Sequence, residues 1–317
     1  MKQLIRVILL CIMVQACGQT YNKMERDKNM ITANNFVEET EKHVKHFEKE
    51  PYYKMHTGSP QDCNYEISVN DLPVYKSYSG FKDLTGTPIN EAILKSGEQR
   101  ITIKIFPPEK DSILSKQANM YFRLVEVDHM TSQFEEKNIL SFVLPSDDDG
   151  DFSGAGLPYF EKELVFNASV PYEVKGWSES QNLSKLDQDK LKEKVIDFYK
   201  KTGVEEVKKN IDFLFNAMHK KQVERAISNY TSKEDLAVMI NEMKRYVKYA
   251  KRFELTEPYT MKLYGNNRLV ILEVLIGEYK GDGAHSLFVQ KGVESGFNRD
   301  TYYLHIPKGK TALEIIR

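Results

Sequence analysis

The spacing of hydrophobic residues changes twice along this chain, and that fixes the order of its elements more tightly than any single motif. From residue 64 to about 175, apolar and polar residues alternate. Tyr65, Ile67 and Val69 oppose Glu66, Ser68 and Asn70; Ile101, Ile103 and Ile105 oppose Thr102 and Lys104. A period of two puts one set of side chains on one face of a strand. Asp71-Leu72-Pro73 and Pro107-Pro108 punctuate these runs. Further strands are expected at 121–127, 139–144, 160–167 and 172–176. Short strands joined by loops of Gly, Pro, Ser and Asp predict a β-sandwich, with Ile89, Ile93 and Leu94 plugging one end as a helical turn.

From about residue 184 the repeat lengthens to three and four. Leu191, Val195, Phe198 and Tyr199 form one stripe; Val204, Val207, Ile211, Leu214 and Met218 continue it; Leu236, Met239, Ile240, Met243 and Val247 form another. Ser184 with Asp187, and Ser232 with Asp235, have capping-box spacing, and Gly203 is expected to end the first helix. The last 60 or so residues return to strands. Residues 269–276 are nearly all apolar, Gly265-Asn266-Asn267 supplies the turn before them, and Tyr302, Leu304 and Ile306 alternate. A shorter helix is expected at about 35–49, with Phe36, Thr40, Val44 and Phe47 on one stripe and Pro51 as its stop. The fold class that follows is α+β in two domains: an antiparallel β-sandwich over 35–177, then a helical segment packed on an antiparallel sheet over 178–317. Trp177 reads as a residue packed at the hinge.

The N-terminus carries a different signal. A short basic start, Met1-Lys2-Gln3-Leu4-Ile5-Arg6, precedes an apolar run from Val7 to Val14. Spanning a bilayer takes about 20 apolar residues, so this run has the length and flanks of a secretory leader. It ends in Val14-Gln15-Ala16-Cys17-Gly18, which resembles the lipobox of bacterial lipoproteins. The resemblance implies removal of residues 1–16 and lipidation of Cys17, leaving 17–34 as a tether to the membrane. Several acyl chains on one residue give lasting attachment where one chain does not. Gly18 stands where an Asp would resemble an inner-membrane retention signal, so the resemblance implies the outer membrane in a Gram-negative host. The richness in Lys, Asn, Tyr and Ile is similar to that of Bacteroidota lipoproteins.

Charge and cysteine content narrow the partners. The net charge is −1, and loss of Lys2 and Arg6 with the leader would bring it to −3. Nucleic acid is therefore not the expected partner, because phosphate binding needs a basic excess. Of the three cysteines, Cys11 belongs to the leader and Cys17 to the anchor, leaving Cys63. That rules out an intramolecular disulfide in the mature chain and a zinc site of paired cysteines.

Few residues suggest chemistry. Asp147-Asp148-Asp149-Gly150-Asp151 offers oxygen ligands for calcium through Asp147, Asp149 and Asp151, but the glycine is misplaced for an EF-hand and Pro158 occupies the final ligand position. A hydrated loop is the plainer reading. Gly281-Asp282-Gly283-Ala284-His285-Ser286 brings Asp, His and Ser together without a nucleophile elbow, so His285 stands as a ligand candidate rather than a catalytic residue. His43 and His46 lie three apart with no further ligands in view. Residues 213–227 resemble the helix–turn–helix opening of nuclear-transport-factor-2-like domains. That resemblance implies helices covering a curved sheet over 204–317 and a pocket between them, with no catalytic pair carried over. His285, Asp282, His305 and His219 are the polar residues that could face such a pocket. The function expected is non-enzymatic: an envelope lipoprotein that binds a protein or small ligand, with an immunity protein as one version. No cofactor is expected, and the alternative is an envelope hydrolase with its site in the C-terminal part.

Overall fold

A computed structural model describes residues 30–78, 85–129, 135–292 and 294–317. The expected leader, the expected lipidation site Cys17 and the first part of the expected tether, up to residue 29, lie outside the described residues. The described chain is mixed α+β. Helix α1 (Phe36–Glu41) is followed by strands β1 (Pro51–Gln61), β2 (Asn64–Val69), β3 (Leu72–Ser77), β4 (Thr87–Pro88), β5 (Gly97–Phe106), β6 (Asn119–Asp128), β7 (Lys137–Val143) and β8 (Phe160–Ala168). Three helices come next, α2 (Gln188–Val207), α3 (Ile211–Ser228) and α4 (Lys233–Tyr249). The chain then returns to strands: β9 (Ala250–Leu255), β10 (Tyr259–Tyr264), β11 (Leu269–Val274), β12 (His285–Lys291), β13 (Glu294–Asp300), β14 (Leu304–His305) and β15 (Glu314–Ile315).

All named strand pairs are antiparallel. The first eight strands form two sheets, in the orders β4-β1-β6-β7 and β3-β2-β5-β8. Alternation decides which faces are buried. Ile67 on β2 sits across from Ile103 on β5, and both are fully buried, as are Met55 on β1 and Leu124 on β6. Side chains of both sheets belong to one apolar cluster. Ile89 and Ile93, which flank a 3-10 turn at Asn90–Ala92, belong to it too, as their spacing predicts. The later strands form sheets β10-β11-β14-β15 and β13-β12-β9, and α2 lies against β9, β11 and β12.

The first cluster does not stop at residue 177. It includes Trp177, Tyr230, Leu269, Ile271, Tyr303 and Ile316, so chain from both sides of the expected boundary shares one core. At full burial of a side chain for about 1.5–3 kcal/mol, these six are a substantial joint contribution.

Local differences from the sequence expectations have identifiable causes. Helix α2 runs through Gly203 to Val207. A Cβ at Gly203 would come within 2.1 Å of the Phe253 ring, so the glycine admits a strand side chain against the helix rather than ending it. Asp187, not Ser184, caps α2, accepting the Lys190 N–H at 3.1 Å. Ser232 caps α4 as expected. Helix α1 is shorter than its stripe suggests, because the chain beyond it turns around the buried Glu50 carboxylate, which accepts the Phe47 N–H at 3.2 Å. Strand β1 went unrecognised despite its alternating Tyr53, Met55 and Thr57. Residues 172–176 form no strand: Tyr172 and Val174 are buried, but the segment has no ladder partner.

Candidate functional site

His285 opens β12 and pairs in register with Asp300, which closes β13. From α2, Glu206 reaches over both. His285 Nε2 lies 2.7 Å from Glu206 Oε2 and 4.0 Å from Asp300 Oδ2. The Tyr302 hydroxyl is 2.8 Å from Glu206 Oε1 and 3.3 Å from Asp300 Oδ2. Asn298 Nδ2 donates to Asp300 Oδ1 at 3.0 Å. His285 is fully buried and Glu206 nearly so, while Asp300 keeps 29% of its side chain exposed.

Counting protons orders this group. One hydroxyl carries one hydrogen, and two carboxylates compete for it. If Asp300 holds a proton, it donates to the Tyr302 oxygen, Tyr302 donates to Glu206, and His285 donates its Nε2–H to the other Glu206 oxygen. Every short contact is then satisfied. Burial raises the Asp300 carboxyl above its ordinary value, and the Glu206 carboxylate adds to the rise, consistent with that arrangement. Burial, reinforced by Asp300 and Glu206, also lifts the Tyr302 hydroxyl well above its usual range. Nearby, Lys221 on α3 donates to the Thr301 carbonyl at 3.3 Å, and burial, helped by Arg225, pushes its ammonium down to about 8.

Glu206, His285 and Asp300 are also the residues whose ligand atoms could surround a metal, lying within 4.8 Å of one another. A metal-bound imidazole normally donates its second N–H to an acceptor. His285 Nδ1 has no partner among the described residues, and the Phe253 ring centroid lies 4.7 Å from that of the imidazole. A neutral histidine donating through Nε2 leaves only a lone pair there, so the donor set fits a proton-sharing group better than a metal.

The other sequence candidates are placed elsewhere. Asp147 Oδ1 accepts the backbone N–H groups of Asp149 and Asp151 at 3.1 and 2.9 Å, and Asp151 pairs with Lys116 at 2.8 Å. The Asp147 carboxylate thus closes the loop, and that of Asp151 is tied to Lys116 outside it. Asp282 faces Arg299 at 3.9 Å. His219 packs edge-on against Phe36, where burial lowers its pKa. His46 pairs with Glu50 at 3.0 Å. His305 Nδ1 meets Ser180 Oγ at 2.6 Å, with Glu314 3.9 Å from its other nitrogen. That order of groups suits a nucleophile, but the Ser180 and Gln181 N–H groups bind the Trp177 and Ile306 carbonyls, leaving neither to stabilise an oxyanion. Cys63 is buried, and burial pushes its thiol up to about 11.

A cleft of about 560 Å³ opens where the two sets of strands meet. Tyr78, Phe106 and Tyr159 give it aromatic surface, and Pro107, Pro108 and Pro158 stiffen its rim. Lys104, Lys262 and Lys280 balance Glu66, Glu109 and Asp111 around it. A buried ion pair stands behind it. Lys76 on β3 binds the Glu273 carboxylate on β11, the Tyr264 hydroxyl at 3.1 Å and the Gly281 carbonyl at 3.4 Å. Lys262 approaches the other Glu273 oxygen at 3.0 Å, and Lys280 sits 4.7 Å above the Tyr78 ring. Lys76 and Glu273 thus tie the early strands to the late ones beside the opening.

Sequence reasoning found His285 but missed Glu206, Asp300 and Tyr302. Glu206 had a signal: it lies one residue from Val207, on the side of α2 that carries Tyr199 and Gly203 inward. The cleft had none, because its walls join β2, β5 and nearby loops to Lys262 and Lys280, which come from much later in the chain. No family model, no curated protein and no solved structure matches this chain.

Proposed function

We propose that this chain is a lipid-anchored envelope protein that binds a ligand in the cleft between its two strand-rich parts. The observation that carries the reading is the cleft itself: a concave site of ligand size, with aromatic walls and convergent polar groups, where Lys262 and Lys280 from the later strands meet residues of β2 and β5. Its charges are balanced, which suits a neutral polar ligand or a peptide segment with both signs over a polyanion. The lipobox ending at Cys17 supports the location, and the two sheets sharing one cluster support an N-terminal β-sandwich followed by an α+β domain. Native mass spectrometry of the full chain with fractionated envelope extract tests the binding. A bound species is expected, and Tyr159→Ala with Lys280→Ala should remove it. Absence of any bound species across the fractions refutes the reading. Membrane fractionation of Cys17→Ser tests the anchor separately: the variant should leave the envelope lipids.

One observation favours a second reading, hydrolysis in the C-terminal part. Lys221 with a lowered pKa beside Asp300 with a raised one is the kind of pairing found at proton-transfer sites. Hydrolytic activity that disappears in Lys221→Met and His285→Ala, with folding intact, would establish it. Activity unchanged in both would remove it.

A further inference from the structure

The tether and a basic surface meet at one end of the helical layer. Ala33, near the start of the described chain, donates its N–H to Asp212 on the first turn of α3 at 2.8 Å. Three residues earlier, Lys209 binds the Ala250 carbonyl, where α4 passes into β9. The chain bound for Cys17 therefore leaves the body beside the C-terminal end of α4. That end is cationic. Arg245, Lys248, Lys251 and Arg252 are all exposed there, and Lys291 joins them from β12.

A pocket of about 280 Å³ lies in this surface, lined by Arg245, Tyr246, Tyr249, Val289, Lys291, Ser295 and Gly296, with no carboxylate in its lining among the described side chains. Lys248 and Lys291 stand 5.5 and 6.0 Å from the Tyr249 ring centre, and Arg245 stands 5.9 Å from that of Tyr246. The ion pairs on this face are Arg245 with Glu242, Arg252 with Glu254 and Lys208 with Glu205. Lys244, Lys248 and Lys251 enter none among the described side chains. Complementing the dipole of α4 would account for Lys248 in its last turn. It does not account for Lys251 or Lys291, which lie on β9 and β12.

We propose that this basic and tyrosine-rich end is a membrane-docking face, seated on anionic phospholipid headgroups of the leaflet that holds the lipidated Cys17. The inference rests on the anchor reading. Twelve residues lie between Cys17 and Met30, and in any conformation that segment reaches at most about 45 Å, so the anchored body stays within reach of the surface. Lysine and arginine next to an anionic surface add attraction, and tyrosine is favoured at headgroup depth. The cluster lies where the tether emerges, so docking needs no reversal of the body. The pocket accepts one phosphate headgroup between Arg245 and Lys291, with the tyrosine rings against its glycerol portion.

Vesicle co-sedimentation of the full chain carrying Cys17→Ser tests this without using the lipid. Vesicles of phosphatidylcholine with about a third phosphatidylglycerol should bind it at least roughly tenfold better than phosphatidylcholine alone. Raising salt from about 0.1 to about 1 M, which shortens the Debye length from about 10 to about 3 Å, should abolish the difference. Arg245→Glu, Lys248→Glu and Lys291→Glu together should do the same at low salt, whereas reversal of Lys95, Lys162 and Lys308, outside this cluster, should not. Equal binding to both vesicle types overturns the proposal, as does binding that the first triple reversal leaves unchanged. If that reversal prevents folding, judged by circular dichroism, the lipid preference and its salt dependence in the parent decide alone. A mass measurement at Cys17 of the chain isolated from membranes reports on the anchor reading independently.

Discussion

Between β1 and β8, the side chains with no access to water are mostly Tyr53, Met55, Ile67, Ile101, Ile103, Phe122 and Leu124, and Asn90, the polar exception, spends its amide on Pro51, Ser228 and Tyr53. Between α2 and β15, Glu206, Glu273, His285 and His305 are just as deeply buried among Val270, Leu272 and Leu304. The first region hides apolar surface, whose burial is favourable with any suitably shaped neighbour. The second hides ionisable groups, each of which is tolerable only with a particular partner at hydrogen-bond distance. Stability in the first should therefore be indifferent to pH, whereas stability in the second should follow the protonation of a few residues.

The largest effect expected is at Glu273. Its replacement by alanine leaves Lys76 buried without its carboxylate, and breaking such a pair costs about 3–5 kcal/mol. Urea unfolding measures it. Ile103→Ala is the matched change in the first region and should cost about 2–5 kcal/mol. The comparison lies in the pH dependence: the Ile103→Ala loss should be the same at about pH 5 and about pH 8. A pH-dependent loss at Ile103 would break the contrast between the two regions.

His305 sharpens it. Burial, with Lys220 adding repulsion, pushes its imidazole down to about 4. The unfolded chain therefore binds a proton there that the folded chain refuses. Stability is fully present above about pH 6.5 and falls as the pH drops from there to about 4, by on the order of 3 kcal/mol. Ser180 bonds Nδ1, while Glu314, 3.9 Å from Nε2, pulls the other way without offsetting burial. In His305→Phe this part of the acid loss should disappear, as read from urea midpoints across that window. An unchanged acid limb would move the cause to another group.

The same distinction explains what the sequence made legible. Alternation at Tyr65, Ile67, Val69 and Ile101, Ile103, Ile105 marked β2 and β5, because burial of one strand face is a property each strand carries in its own residues. The α4 cap at Ser232 was legible for the same local reason. Gly203 was misread, since what demands a glycine there is Phe253, fifty residues away. His285 drew notice for its neighbours Asp282 and Ser286, yet its working partners are Glu206, brought in by α2, and Tyr302, brought in by the segment between β13 and β14. Glu273 is the one charge in the apolar run 269–276, which marks it as buried, but nothing local named Lys76 as its partner until the two parts of the chain close on them. Pairing across the fold is not a periodic property, so periodicity could not reveal it.

Asp300→Asn is the smallest of these effects and the most discriminating. If Asp300 holds a proton in the folded chain, its raised pKa places a cost on folding that appears as the pH rises above the ordinary carboxyl value and persists at neutral pH. An amide at this position supplies a donor to Tyr302 without that cost. Asp300→Asn should then be slightly more stable than the parent at about pH 8, by less than about 1 kcal/mol, the scale of one net hydrogen bond. The advantage should vanish at about pH 3, where the parent carboxyl is protonated in both states. Thermal unfolding at the two pH values reads the sign. A net loss at about pH 8 would mean that Asp300 works as an anion, so that a protonated His285 or a bound cation balances it; added zinc raising the parent's unfolding temperature, and not the variant's, would then separate those two.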